Sequence, residues 1–194
     1  MSTLDNLVAL VPPPPTAVKF DWKATESALG SPLPDDYKQL IDLYGPGQFN
    51  EYIRVTAPTE RGGIIHSQKV LIDSLMQMRP TIISFGGKWI GNDGSEVPVD
   101  LGPEDAPPPV IAWGSGGEGG IGYWHVVGEN PNEWPVMFTD FSPVSDYHTG
   151  GLVSYIYGLL AGARSEVVHF QESRPDITEP SFVPDRDFSP FTGE

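Results

Sequence analysis

Leu33-Pro34-Asp35-Asp36-Tyr37, running on through Lys38 to Leu43 and closing with Tyr44-Gly45-Pro46-Gly47, is a helix with its start and stop written into the sequence. Pro34 suits the first helical position, where a backbone N–H has no partner in any case. Asp35 and Asp36 set negative charge against the positive end of the helix dipole. Tyr37, Leu40, Ile41 and Tyr44 fall at i, i+3, i+4 and i+7, one apolar stripe for a core. Gly45 supplies a residue at ease in the left-handed conformation that ends a helix, and Pro46 forbids continuation. Asp21 to Gly30 repeats this logic in shorter form. Asp21 caps, Trp22, Thr25, Ala28 and Leu29 share a face, and Gly30 stops the turn. Neither stretch carries a side chain that reads as a catalyst.

Working outward, Leu4, Leu7, Val8 and Val11 give a short helix over 4–10, and Pro12 to Pro15 follow as a stiff extended connector. Four prolines also fit an SH3-type ligand, but they lie between two helices of one domain, which favours the connector. Tyr52 to Val55 reads as a strand. Val70, Leu71, Ser74, Leu75 and Met78 place a helix over 67–78, with Arg79-Pro80 ending it. Thr81 to Phe85 is β-rich, and Gly86-Gly87 punctuates it. Val97 to Leu101 reads as a short strand. Val110 to Trp113, Ile121 to Val127 and Trp134 to Thr139 then read as an antiparallel meander, joined by the glycine-rich turn 114–120 and by Asn130 to Glu133. Leu152, Val153, Ile156, Leu159 and Leu160 form a last helical stripe, ended by Gly162. Val167, Val168 and Phe170 are candidates for one more strand. The expected organisation is a domain over 1–163 and a proline-bearing acidic extension over 164–194, part extended, part pinned to the domain by Phe182, Phe188 and Phe191.

The paired helices resemble the opening of the SMI1/KNR4 family, also called the SUKH superfamily. The resemblance lies in Trp22, Gly30, Leu33-Pro34-x-Asp36-Tyr37 and Tyr44-Gly45-x-Gly47. Trp113-Gly114, Gly119, Tyr123-Trp124, Gly128, Asn130-Pro131 and Trp134-Pro135-Val136 resemble the family's run of strands, and 152–162 its closing helix. It spans roughly residues 3–162. The resemblance implies an α+β fold: an antiparallel or mixed sheet of five to six strands, flanked by N-terminal helices and a C-terminal helix. It also implies a bacterial immunity-type protein, which neutralises a cognate toxin, often a nuclease, by direct association. The alternative implied by fungal members is a regulatory scaffold with several partners. The chain lacks the long disordered flanks expected of such a hub.

Composition narrows the chemistry. A chain of 194 residues buries about 70% of its unfolded surface, enough for a real core. It has no cysteine, so no disulfide and no thiolate nucleophile or metal ligand exists. That fits a reducing compartment, and a cytoplasmic location is expected. Met1 to Val11 lacks the basic start and apolar run of a secretory signal. No apolar run reaches the about 18 residues that span a bilayer. With 26 acidic residues against 11 basic ones, the net charge of −15 should repel nucleic acids and anionic membranes. The acidity reads either as a solubility device or as steering toward a basic partner. A monomer is expected.

The search for catalysis returns little. Gly114 to Gly120 is not a phosphate loop, because no Gly-Lys-Ser/Thr ends it, no helix follows and Glu118 would repel phosphate. It reads as a flexible hairpin. Gly114-Ser115-Gly116 lacks the spacing of a nucleophile elbow. His66, His125, His148 and His169 have no i, i+4 partner of a zinc helix, and a site built from His125 and Asp140 is the remaining metal reading. The acids over 92–106 lack calcium-loop spacing. Trp113, Trp124 and Trp134 read as strand packing rather than a sugar platform. No cofactor and no metal are expected. A nuclease must present basic residues to bind phosphate, so the acidic loops are the candidate contacts: Asp93, Glu96, Asp100, Glu104, Asp105, Glu118 and Glu129.

Overall fold

The computed structural model describes residues 2–15, 18–84, 86–91, 93–116, 119–139, 144–161 and 179–193. Within them lie the helices α1 (Thr3–Leu10), α2 (Trp22–Leu29), α3 (Asp35–Tyr44), α4 (Ile64–Ser84) and α5 (Leu152–Ala161). The strands are β1 (Gly47–Phe49), β2 (Ile53–Val55), β3 (Lys88–Gly91), β4 (Glu96–Pro98), β5 (Val110–Gly116), β6 (Ile121–His125), β7 (Val136–Thr139), β8 (Val144–His148) and β9 (Phe182–Pro184). All nine form one mixed sheet in the order β4-β3-β8-β7-β6-β5-β2-β1-β9. Every neighbouring pair is antiparallel except β3 with β8. The α+β class holds, with more strands than the five to six expected.

Local chemistry accounts for the helices. Ser2 and Asp5 cap the start of α1 reciprocally. Asp21 accepts the N–H of Ala24 at 2.9 Å, and Gly30 ends α2 at φ 68°. α3 begins at Asp35, so Pro34 is its cap residue rather than its first helical one. Tyr37, Leu40, Ile41 and Tyr44 are all buried, as their spacing requires. Two expectations fail in α4. The helix runs through Pro80 to Ser84, so of the β-rich stretch Thr81 to Phe85 the described residues 81–84 are its last turn rather than a strand. Leu71, Leu75 and Arg79, four apart, are all buried, and that stripe holds the helix beyond the proline.

The strands split their side chains between two layers. Ile111, Trp113, Trp124, Val136 and Phe138 face a large cluster with Leu7, Tyr37, Leu40, Ile41, Tyr155 and Ile156. Val110, Ala112, Tyr123 and Met137 face the other way, against Leu71 and Leu75 of α4, Trp89 and Leu101. Each large apolar side chain so buried contributes about 1.5–3 kcal/mol of transfer free energy. The glycines of the β5–β6 hairpin are packed rather than merely flexible. A Cβ on Gly122 would lie 2.3 Å from the Trp113 ring, and one on Gly116 or Gly120 would lie 2.4 Å from the Phe138 ring.

The C-terminal segment joins the sheet. β9 pairs with β1, and Phe182 packs on Tyr44 and Phe49 with ring centroids 5.1 and 4.7 Å away. Arg54 Nη1 donates to both carboxylate oxygens of Asp185 at 2.6 and 2.7 Å. Phe188 stacks on Phe20 at 6.2 Å. The candidate strand at Val167, Val168 and Phe170 lies outside the described residues.

Candidate functional site

The acidic candidates gather at one edge of the sheet. The β3–β4 hairpin turns at Gly94, with φ 79°, and Asp93 Oδ1 accepts the Ser95 N–H at 2.9 Å. The Ser95 hydroxyl and then its N–H hold the Asp93 carboxyl below its ordinary range, so it is ionised at neutral pH. Glu96, on the edge strand β4, meets Lys88 at 2.5 Å. Both are exposed, so the pair adds little stability, typically about 0–1 kcal/mol.

The chain then leaves β4 and folds back under α4. Asp100 Oδ1 accepts the Gly102 N–H at 2.9 Å and starts a turn. Leu101 drops into the second core cluster. Arg79, only 3% exposed, clamps the segment from Leu101 to Ala106. Its guanidinium donates to the carbonyls of Pro103 and Leu101, each at 2.5 Å, and of Ala106 at 3.2 Å. Among the described residues no carboxylate pairs with it. A buried cation therefore spends its two terminal nitrogens on backbone, its Nε having no partner among the described residues, and Asp100, Glu104 and Asp105 stand exposed on the loop it fixes. Those three carboxylates make no ion pair among the described residues. Between this loop and the last turns of α4 lies a groove of about 370 Å³, lined by Pro80, Ile83, Val99, Asp100 and Glu104 among others.

One candidate stands apart. Glu129 is exposed in the β6–β7 connection. That connection is tied to the head of α3, where the Asp35 N–H donates to Asn132 Oδ1 at 2.7 Å, on the face opposite α4. Glu118 lies outside the described residues.

The residues that build this end are not among the sequence candidates. By sequence Arg79 reads as a helix stop, yet it sits four and eight residues after Leu75 and Leu71 on one stripe. That placement of a basic residue in a buried row is the signal that could have found it. Ile83, 65% exposed on the last turn of α4, reads as strand by composition.

His125 and His148 are buried, and His66 is exposed. His125 meets Trp89 and Tyr147 edge-on, at 4.8 and 6.4 Å between ring centroids. Burial lowers its pKa, opposed by the negative charge of Asp100, so the ring is neutral at pH 7. Among the described residues no three His, Asp or Glu side chains converge as a metal site. Asp140 lies outside them, as does His169. Trp113, Trp124 and Trp134 are buried in the core. A cleft of about 440 Å³ opens near the other edge of the sheet, between β2, β5, the start of α4 and residues 185–188. Its Arg54 is already matched by Asp185. Among the described residues no helix is long and apolar enough to cross a membrane.

The residues of the paired helical signatures have structural partners. Asp36 Oδ2 accepts the Val153 N–H at 3.0 Å, so this first-turn residue of α3 also caps α5. The Tyr37 hydroxyl donates to the Thr56 carbonyl at 2.5 Å, and that of Tyr44 to Val11 at 2.6 Å. Trp22 Nε1 donates to Asp42 at 3.1 Å. Compared with protein-family models, with curated proteins and with solved structures, the chain matches none of them.

Proposed function

We propose that this chain is a non-enzymatic binding protein of the immunity type, SMI1/KNR4 (SUKH)-like, which neutralises a basic toxin domain by direct association. A nuclease is the fitting class, because its phosphate-binding surface is basic and an acidic loop can occupy it. The observation that carries this reading is the clamp on the acidic loop. Three exposed carboxylates, Asp100, Glu104 and Asp105, ride on a segment whose carbonyls are held by the buried Arg79 guanidinium. A loop fixed before encounter loses less conformational entropy on binding than a mobile one, and so keeps more of its interaction energy as affinity. The net charge of −15 adds long-range attraction for a basic partner and disfavours nucleic acid or an anionic membrane as ligand. A cytoplasmic location and a monomeric state belong to the same proposal.

The test is co-expression with the C-terminal domain of the protein encoded immediately upstream of this gene, which is expected to be the toxin; an upstream gene with no such domain would count against the proposal. Growth should be restored in cells that the toxin domain alone kills, and the two proteins should co-purify as a stoichiometric complex. Cell death despite abundant folded protein, with no complex recovered, would sink the proposal.

A further inference from the structure

The groove beside the clamped loop has a composition that selects its occupant. Its α4 wall carries Pro80 and Ile83, both exposed, and Ile83, at 65%, is the most exposed large apolar side chain among the described residues. Val99 and the buried Leu101 continue that apolar lining from the loop side. The Asp100 and Glu104 carboxylates stand at the rim, with no cation paired to them among the described residues. A volume of about 370 Å³ is near the lower end of the range for ligand clefts, room for one or two side chains rather than an extended cofactor.

We propose that this groove receives an arginine or lysine of the partner protein together with a neighbouring aliphatic residue. The inference rests on the acidic-loop reading above and names where on that surface the partner anchors. An apolar floor under an acidic rim suits a side chain with a long hydrocarbon stem and a terminal cation, which lays its stem on the floor and keeps its charge at the rim. An anionic occupant meets the carboxylates. Arg79 also lines the groove, its guanidinium held on the carbonyls of the loop, so a bare metal ion seated inside would meet that charge. Asp100 already gives one oxygen to the Gly102 N–H. A side chain that keeps its cation at the exposed carboxylates lays only its stem toward Arg79. Ile83 shares the groove lining with Asp100 and Glu104, so an arginine seated there, a residue type enriched at binding hot spots, meets apolar and acidic contacts together.

The probes are capped peptides titrated into the full-length ¹⁵N-labelled protein: acetyl-(Arg-Leu)₃-amide, acetyl-(Arg-Ser)₃-amide and the citrulline analogue of the first. The Arg-Leu peptide should shift the amides of Ile83, Ser84, Gly102 and Glu104 most. It should bind at least about fivefold more tightly than the Arg-Ser peptide, and the citrulline peptide should be weaker still. Ile83→Ser, at an exposed position, should erase the preference for leucine while keeping the need for arginine. Asp100→Asn with Glu104→Gln should do the reverse, and the asparagine keeps an acceptor for the Gly102 N–H. Shifts spread over the acidic surface, with equal affinity for the two arginine peptides, would overturn the groove and leave the acidic-loop reading standing. No binding of either arginine peptide at low salt would overturn both.

Discussion

Asp36 illustrates how much one side chain can do that its neighbours in sequence do not reveal. As a first-turn acid of α3 it reads as a favourable charge at a dipole. In the fold it also accepts the N–H of Val153, so the start of one helix caps the start of another. Burial raises its pKa, against the N–H bonds that lower it, and Gly151 at φ 86° leaves room for it. His125 is the opposite case, a buried polar ring at 4% exposure with no hydrogen-bond partner for either nitrogen among the described residues. Its folded pKa lies below its ordinary value near 6.5. The stability linked to it is therefore present above that value and lost as pH falls through the folded pKa, where the unfolded chain takes up the proton more readily. Replacing His125 by Phe removes this term and two unsatisfied atoms. Thermal unfolding followed from pH 8 to pH 5 should show wild type losing more Tm than His125→Phe, by about 2–4 °C per kcal/mol of linked stability. Parallel Tm curves for the two proteins would refute this account of the residue.

At the scale of elements, the legible parts are those whose causes are local. α2 and α3 announce themselves through caps, stripe and stop within ten or so positions, and the meander β5–β6–β7 through aromatic and β-branched strands divided by turns. What the sequence hid has causes elsewhere in the chain. Residues 82–84 favour strand by composition and come after a proline, yet they belong to α4, because Leu71, Leu75 and Arg79 anchor that helix to the sheet and to the 101–106 loop. β1 and β9 have three residues each, too few for an alternation to be read, and they exist because they pair. The acidic segment 92–106 was legible as a candidate surface, but its clamp and its groove were not, since both come from α4. Gly47 shows how tightly the last strand fits. A Cβ there would stand 2.4 Å from the Phe182 ring and 2.6 Å from the Val183 carbonyl oxygen. Gly47→Ala should therefore displace β9 at a cost of about 1–3 kcal/mol. Hydrogen exchange at Val183 and Asp185 should accelerate strongly while α3 stays protected. Unchanged protection of those two amides would mean that Phe182 swings aside at little cost.

At the scale of the whole molecule, the described residues form a nine-stranded sheet between two unequal layers. One layer is a deep core built from α1, α2, α3 and α5. The other is a single long helix and the loop it holds. The first layer absorbs Tyr37, Leu40, Ile41 and Tyr44 of the paired helical signatures, with Trp22 and Leu29 packed against it. The second leaves carboxylates exposed over an apolar groove, at one edge of a chain with net charge −15. An acidic surface of this kind should act mainly through encounter rate and long-range attraction, and both are screened by salt. The most direct test of the central claim is the dissociation constant for the basic toxin domain proposed as partner. It is to be compared between wild type and the combined variant Asp93→Asn, Asp100→Asn, Glu104→Gln, Asp105→Asn, at low and at high ionic strength. The account predicts that the variant binds at least about tenfold more weakly at low salt, and that the gap narrows as salt screens it. Equal affinity of the two proteins at low salt, with both folded, would contradict it.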